Sequence, residues 1–225
     1  MKVILLPGLD GTGTLFQPLL DALPKNIDTQ TISYPPNIKL GWESLTEFVL
    51  NQLPEEEFIL IAESFSGYIA YQIALQNPDK LQSIIFIASF LESPKPFLLS
   101  LSRWLPIKLM LSIPSPSLII KEFLLGTKAS DNIVNLFRQA IKQVPAEIIS
   151  FRLNEIRRIP KNYPPCETKA IYLQASNDKL VSKSCIDKFK ETFTNLNIIQ
   201  IKGPHFLLQA NPLDCMKVII AEVKH

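Results

Sequence analysis

Histidine, cysteine and net charge are all in short supply in this chain of 225 residues, and each shortage narrows the chemistry available. There are two histidines, His205 and His225, so any step that needs an imidazole must draw on one of them. The three cysteines, Cys166, Cys185 and Cys215, have neither metal-ligand spacing nor the even count of a disulfide framework. They imply reduced thiols in a reducing compartment, a cytoplasmic protein, and no metal centre. A net charge of +2 is too small for a nucleic-acid binder. Glycine numbers only seven. Gly11 and Gly13 lack both the Lys-Ser/Thr ending of a phosphate-binding P-loop and the spacing of a dinucleotide fingerprint. No internal repeat or low-complexity tract stands out.

Long hydrophobic runs are missing too. The opening MKVILLPGLDG has one lysine before an apolar run that is too short for a signal peptide and breaks at Pro7-Gly8, so a buried strand explains it better. From Phe97 to Leu125 the chain is apolar, but Arg103, Lys108, Lys121, Glu122 and three prolines interrupt it, which excludes stable membrane insertion.

What is present is an ordinary globular balance, 47% hydrophobic and 20% charged, in a length that suits one domain. Short apolar runs at Val3–Leu6, Phe58–Ala62, Ser83–Ala88, Ala170–Leu173 and Asn197–Ile201 suit parallel strands buried on both faces, and Thr29–Ser33 is a weaker sixth. Stretches with helical spacing lie between several of them: Trp42–Leu53, Tyr68–Gln76, Ser182–Thr192 and Leu213–Val223. The alternation predicts an α/β fold, a parallel sheet of about six strands covered by helices. It fails between Leu91 and Pro160, where helices are expected at Leu98–Leu105, Ser117–Leu125, Asn132–Gln143 and Ala146–Ile156. The expected organisation is a core of residues 1–90 and 161–225 with a helical lid, 91–160, inserted in it. That segment holds ten Lys or Arg against five Asp or Glu, so the charge of the chain is concentrated there.

The most specific local feature is Phe58-Ile-Leu-Ile-Ala-Glu-Ser64-Phe-Ser-Gly67, an apolar strand that runs into a turn of small residues and then a helix. A nucleophile at such a turn has strained backbone, and the positions two before and two after it must be small to let strand and helix approach. Ala62 and Ser66 satisfy this around Ser64, whereas Ser66 as nucleophile would have Tyr68 two places on. A serine hydroxyl needs an imidazole to take its proton, and the imidazole needs a carboxylate to hold its tautomer. His205 follows the last strand; His225 is terminal. Asp178 follows the strand Ala170–Leu173, and Glu92, after the preceding strand, is its rival. Each residue alone has a plainer reading. Ser64 could cap a helix, Asp178 could cap the helix near Ser182, Asp10 could make a turn, and His205 could be a loop histidine. Their order after separate strands favours the catalytic reading.

The small-x-Ser-x-small turn, the acid turn Gln174-Ala-Ser-Asn-Asp178 and the histidine loop Ile201-Lys-Gly-Pro-His205 resemble those of the α/β-hydrolase family. Gly is commoner than Ala62 and Ser66 at the flanking places in that family. The resemblance implies an α/β-hydrolase fold without the two strands that normally come first, a Ser64–His205–Asp178 triad, and a carboxylic ester hydrolysed through an acyl-enzyme with no cofactor. It also implies that Leu5-Leu-Pro-Gly-Leu9-Asp-Gly-Thr-Gly13 corresponds to the His-Gly loop, with Pro7 for the usual His, and that the backbone N–H groups of Leu9 and Phe65 form an oxyanion hole. Trp104, Leu105, Leu109, Phe123 and Phe206 are candidates to line an acyl pocket, although most apolar residues of a lid simply pack its helices. A resemblance to pimeloyl-carrier-protein methyl ester esterases raises an acidic acyl carrier protein as a partner for the basic segment; a solvated basic surface is the plainer account. A thioesterase or acyltransferase would use the same triad, and a non-catalytic ligand receptor on this fold is the alternative of another class.

Overall fold

In the computed structural model, which describes residues 1–76, 78–94, 121–127, 129–160 and 163–224, six parallel strands form one sheet. The strands are β1 (Lys2–Leu6), β2 (Thr29–Thr31), β3 (Phe58–Glu63), β4 (Leu81–Ile87), β5 (Ala170–Ala175) and β6 (Leu196–Ile201), and their spatial order is β2-β1-β3-β4-β5-β6. The described helices of the core are α1 (Gln17–Ala22), α2 (Trp42–Leu50), α3 (Ser66–Leu75), α6 (Ser184–Thr192), α7 (Leu207–Ala210) and α8 (Pro212–Val223). Between β4 and β5 stand α4 (Asp131–Lys142), α5 (Ala146–Arg157) and a π-helical turn at Lys121–Leu125.

The apolar runs become central strands because both faces of the sheet are covered. Alternate residues divide cleanly: Ile4, Leu6, Leu60, Ala62, Ile84, Phe86 and Tyr172 join one core, with α2, α3 and α6 packed on it. Val3, Leu5, Ile59, Ile61, Ile85, Ile87 and Leu173 join a second core, beneath α1 and α8. A strand that feeds two cores can carry no polar alternation, hence the unbroken hydrophobic stretches. The three cysteines are free thiols buried in these cores.

The sequence-based boundaries differ mainly at element ends. Strand β2, at the sheet edge beside β1, is only Thr29–Thr31, two residues shorter than expected. The first turn of α3 begins at Ser66, and α1 and α7, too short for a periodic signal, were not expected. Where an α-helix was expected at Ser117–Leu125, the described part, Lys121–Leu125, is wound as a π-helix. The expected helix Leu98–Leu105 lies outside the described residues. No described helix is long and apolar enough to cross a membrane.

One feature of the topology positions the site. The chain leaves β1 for β2 on one side and then returns to lay β3 on the other, with Leu6 paired to Ala62. Loops leaving the carboxyl ends of β1 and β3 therefore diverge, and the crevice between them is where open parallel sheets receive ligands. The loop after β1 holds Leu9, and the turn after β3 holds Ser64.

Candidate active site

Ser64 occupies the turn between β3 and α3 at φ 49°, one of two non-glycine residues with positive φ among those described. The left-handed region disfavours a side chain, so the surroundings must hold it there. Its N–H extends the sheet by donating to Ile87 O at 2.9 Å, and its carbonyl accepts from Gly67 N at 3.1 Å as the helix begins. The approach of helix to strand is close. A Cβ on Gly67 would meet Ser89 Cβ at 2.7 Å and Phe90 O at 3.1 Å. Ser64 itself keeps partial exposure, while its neighbours Glu63, Phe65 and Ser66 are buried.

The structure brings Ser64, His205 and Asp178 into one hydrogen-bonded row. Ser64 Oγ stands 2.9 Å from His205 Nε2, and His205 Nδ1 donates to Asp178 Oδ2 at 2.8 Å. A carboxylate can only accept, so Nδ1 carries the proton and Nε2 is left to accept from the hydroxyl. The loops that deliver the pair continue the β5–β6 pairing: Ser176 N donates to Ile201 O and Asn177 N to Gly203 O, both at 2.9 Å. Asp178 Oδ1 meanwhile accepts from the N–H groups of Leu180 and Val181 at 2.8 and 2.9 Å. The turn-capping role and the imidazole contact thus coexist on separate oxygens. Glu92 is exposed and has no contact with the imidazole, and His225 lies outside the described residues.

Burial pushes the His205 imidazole down, but the charge and hydrogen bond of Asp178, with the charge of Glu63, outweigh it and raise its pKa above the ordinary 6.5. Glu63 itself, buried before Ser64, is pushed up to about 7 by desolvation, against the lowering effect of its bond from Gln209. Gln209 Nε2 reaches both Glu63 Oε1 at 3.1 Å and Leu15 O at 3.0 Å. Sequence reasoning did not single out either residue; a charged residue inside an apolar strand was the available signal.

The loop after β1 turns tightly, with Gly11 N donating to Gly8 O at 3.0 Å. Asp10 makes a turn, the plainer of its readings, its Oδ2 accepting from Thr12 N at 2.9 Å and Thr12 Oγ1 at 2.6 Å. Ser66 binds Pro7 O and meets the Tyr34 hydroxyl, so its side chain is committed to structure. The backbone N–H groups of Leu9 and Phe65 have no backbone acceptor among the described residues. Phe65 is fully buried, its ring stacked on Trp42 with centroids 4.6 Å apart.

Of the apolar candidates, Phe206 is half-buried beside the site. Its ring meets Phe137 of α4 edge-on at 5.6 Å and His205 at 5.6 Å, and its N–H donates to Leu124 O at 3.1 Å. Trp104, Leu105 and Leu109, and the side chain of Phe123, lie outside the described residues. Among the described residues no cluster of His, Cys, Asp and Glu could hold a metal ion. One further residue, Arg152 of α5, is buried against the loop of Leu9, although charge counting placed it with the basic segment.

The fold has many counterparts. An esterase from Exiguobacterium antarcticum superimposes with TM-score 0.82 at 12% identity, covering 100% of this chain and 92% of that one. A lipase-esterase related protein from Clostridium acetobutylicum gives 0.77 at 15% identity, over 98% and 93%. The enol-lactonase from Burkholderia xenovorans gives 0.75 at 12% identity, over 99% and 91%. Likenesses at this identity establish the fold. No curated protein matches the chain in sequence. The Hydrolase_4 family, described as serine aminopeptidase, S33, matches residues 42–200, a span that starts with α2 and runs almost to the end of β6. With that match over most of its length, the chain belongs to the Hydrolase_4 family of α/β-hydrolases.

Proposed function

We propose that this protein is a serine esterase that cleaves a carboxylic ester through an acyl-enzyme on Ser64. The observation that carries the reading is the row Ser64 Oγ, His205 Nε2, His205 Nδ1 and Asp178 Oδ2, with steps of 2.9 and 2.8 Å, hung on a serine at φ 49°. As Ser64 Oγ attacks the ester carbonyl, its proton passes to His205 Nε2, and Asp178 stabilises the resulting imidazolium. The carbonyl oxygen becomes an oxyanion that accepts from the N–H groups of Leu9 and Phe65. His205 then gives the proton to the alkoxy oxygen as the C–O bond breaks. A water, deprotonated by the same nitrogen, releases the acid and restores Ser64. Three structural counterparts are an esterase, a lipase-esterase related protein and an enol-lactonase, which agrees with ester or lactone chemistry.

The segment 91–160 is read as a lid whose apolar residues receive the acyl chain, with Phe206 at the boundary between His205 and α4. The finer substrate reading is a methyl ester on an acyl carrier protein docked at the basic segment. Arg152 must be subtracted from that docking face, because it points into the molecule. The test is steady-state hydrolysis of chromogenic esters of increasing acyl length by wild type and Ser64→Ala. Turnover by wild type alone supports the esterase, and its preferred length selects the acyl substrates to try next. A wild type inactive across the series removes the reading.

A further inference from the structure

Helix α5 reaches the candidate site from the segment between β4 and β5, and its Arg152 makes an unusual set of contacts. Arg152 is 3% exposed, yet it makes no ion pair among the described residues, and the Asp10 carboxylate acts on its charge without a hydrogen bond to it. Instead Nη1 donates to Leu9 O at 3.0 Å and Asp10 O at 2.6 Å, Nη2 donates to Pro35 O at 3.2 Å, and the guanidinium lies over the Tyr34 ring, 5.6 Å from its centroid. A buried cation is costly unless its donors are used, and here three backbone carbonyls use them. Two of those carbonyls belong to the loop that presents Leu9.

The geometry of that loop gives the contacts a consequence. Gly8 O is held by Gly11 N, and because the Gly8–Leu9 peptide is planar and trans, the Leu9 N–H must point the opposite way, out of the turn. The loop ends are fixed separately, by Ser66 on Pro7 O and by Tyr34 N on Gly11 O at 2.7 Å. Its middle is fixed by Arg152: rotating either peptide that flanks Leu9 would pull a carbonyl from the guanidinium or from Gly11. Gly11 is bare where the guanidinium enters, since a Cβ there would lie 2.4 Å from Nη1. The same helix also reaches the Phe65 side chain indirectly, through Trp42. Glu155 O, three residues on, accepts from Trp42 Nε1 at 2.9 Å, and that indole stacks on Phe65.

We propose that Arg152 is the positioning residue of the oxyanion hole, holding the Leu9 N–H in the direction the tetrahedral intermediate requires and so coupling the segment between β4 and β5 to the catalytic step. The proposal rests on the esterase reading and its assignment of Leu9. It differs from a merely structural role, in which Arg152 would only fasten α5 to the core. A structural role predicts a loss of stability with normal kinetics of the folded fraction. A positioning role predicts a loss confined to the transition state.

The experiment compares wild type, Arg152→Met, Arg152→Lys and Ser64→Ala on the best ester of the length series. It measures kcat, KM, thermal midpoint and affinity for an alkyl boronic acid, which forms a tetrahedral adduct on a reactive serine. Loss of an oxyanion donor costs about 100- to 1,000-fold in kcat, and a donor that is displaced rather than deleted should cost about 10- to 100-fold. The expected result for folded Arg152→Met is a kcat lower by that factor, KM within about threefold of wild type, and boronate affinity falling in step with kcat/KM. Arg152→Lys should recover part of the rate, since an ammonium cannot bridge the carbonyls as the planar fork does. A folded Arg152→Met with kcat and boronate affinity within about twofold of wild type overturns the proposal and leaves the esterase reading standing. A wild type that neither turns over nor binds boronate overturns both. Should Arg152→Met fail to fold, Arg152→Lys carries the comparison: a lower kcat at unchanged KM is expected, and wild-type kcat overturns the proposal.

Discussion

The turn at Ser64 and the loop at Leu9 face the same crevice, yet they are held by different means. The turn is fixed from nearby: Ala62, Ser66 and Gly67 are small, the helix sits almost on the strand, and Ser89 Oγ binds Ala62 O at 2.7 Å from the adjoining end of β4. The loop is fixed from far along the chain, by Tyr34 and by Arg152, whose bond to Leu9 O spans 143 positions. A turn that carries its own restraint can keep its geometry while distant parts vary. A loop held by a remote guanidinium is instead tied to whatever α5 does. On the esterase reading, reactivity at Ser64 and stabilisation of the oxyanion should therefore respond separately to change.

The largest effect should come from Asp178, which is held both by the nearby N–H groups of Leu180 and Val181 and by the more distant His205. Asp178→Asn preserves a hydrogen-bonding side chain but favours the wrong imidazole tautomer, and kcat should fall by about 1,000- to 10,000-fold. The pH profile supplies the sign. His205 must be neutral to act as base, so kcat/KM of wild type should fall as pH drops through a value above the ordinary 6.5. Asn removes the two principal influences that raise that value, and the acid limb should move to lower pH. An unmoved limb would mean that Asp178 does not set the imidazole.

Glu63 is the exception on the turn side, because Gln209 ties it to the final part of the chain. Its folded pKa of about 7 lies above the ordinary 4.5, so the protonated carboxyl stabilises the fold fully below 4.5, and that contribution is lost as pH rises through 7. Glu63→Gln keeps a neutral group at all pH. It should exceed wild-type stability at pH 8.5 by up to about 3 kcal/mol and converge with it near pH 4. Denaturant melts at the two pH values measure this, and equal midpoints at pH 8.5 would show that the carboxyl is ionised at little cost.

The two glycines set turn against loop most directly. Gly67→Ala forces a Cβ against Ser89 and the Phe90 carbonyl, and should cost about 1–3 kcal/mol of stability, a fall of several degrees in thermal midpoint. Gly11→Ala forces a Cβ into the Arg152 guanidinium from a residue at φ 71°, and should lower kcat about tenfold in the folded fraction. Equal kinetic losses from both would break the distinction between the two restraints.

The same distinction explains what was legible in the sequence. The strands other than β2 were visible because each feeds two cores, and Ser64 because Ala62, Ser66 and Gly67 stand beside it. Asp178 and His205 could be picked out because each follows a strand that the apolar runs had marked. Arg152 was not legible: a lone arginine in a helical stretch looks the same whether its guanidinium meets water or three carbonyls. Gly11 was noticed only as a possible phosphate-loop glycine, since the group it makes room for comes from elsewhere in the chain. The edge strand β2 was overestimated because its residues, Thr29-Gln30-Thr31, are polar and only half-buried, and no apolar run marks where it ends.

The measurement that bears most directly on the esterase reading is the intact mass of the protein after reaction with a fluorophosphonate, followed by peptide mapping of the adduct. Attack by Ser64 Oγ on phosphorus, with loss of fluoride, predicts one adduct per chain on the peptide that contains Ser64, and none on Ser64→Ala or after denaturation. An unmodified protein, or an adduct on Ser66 or elsewhere, would contradict the account.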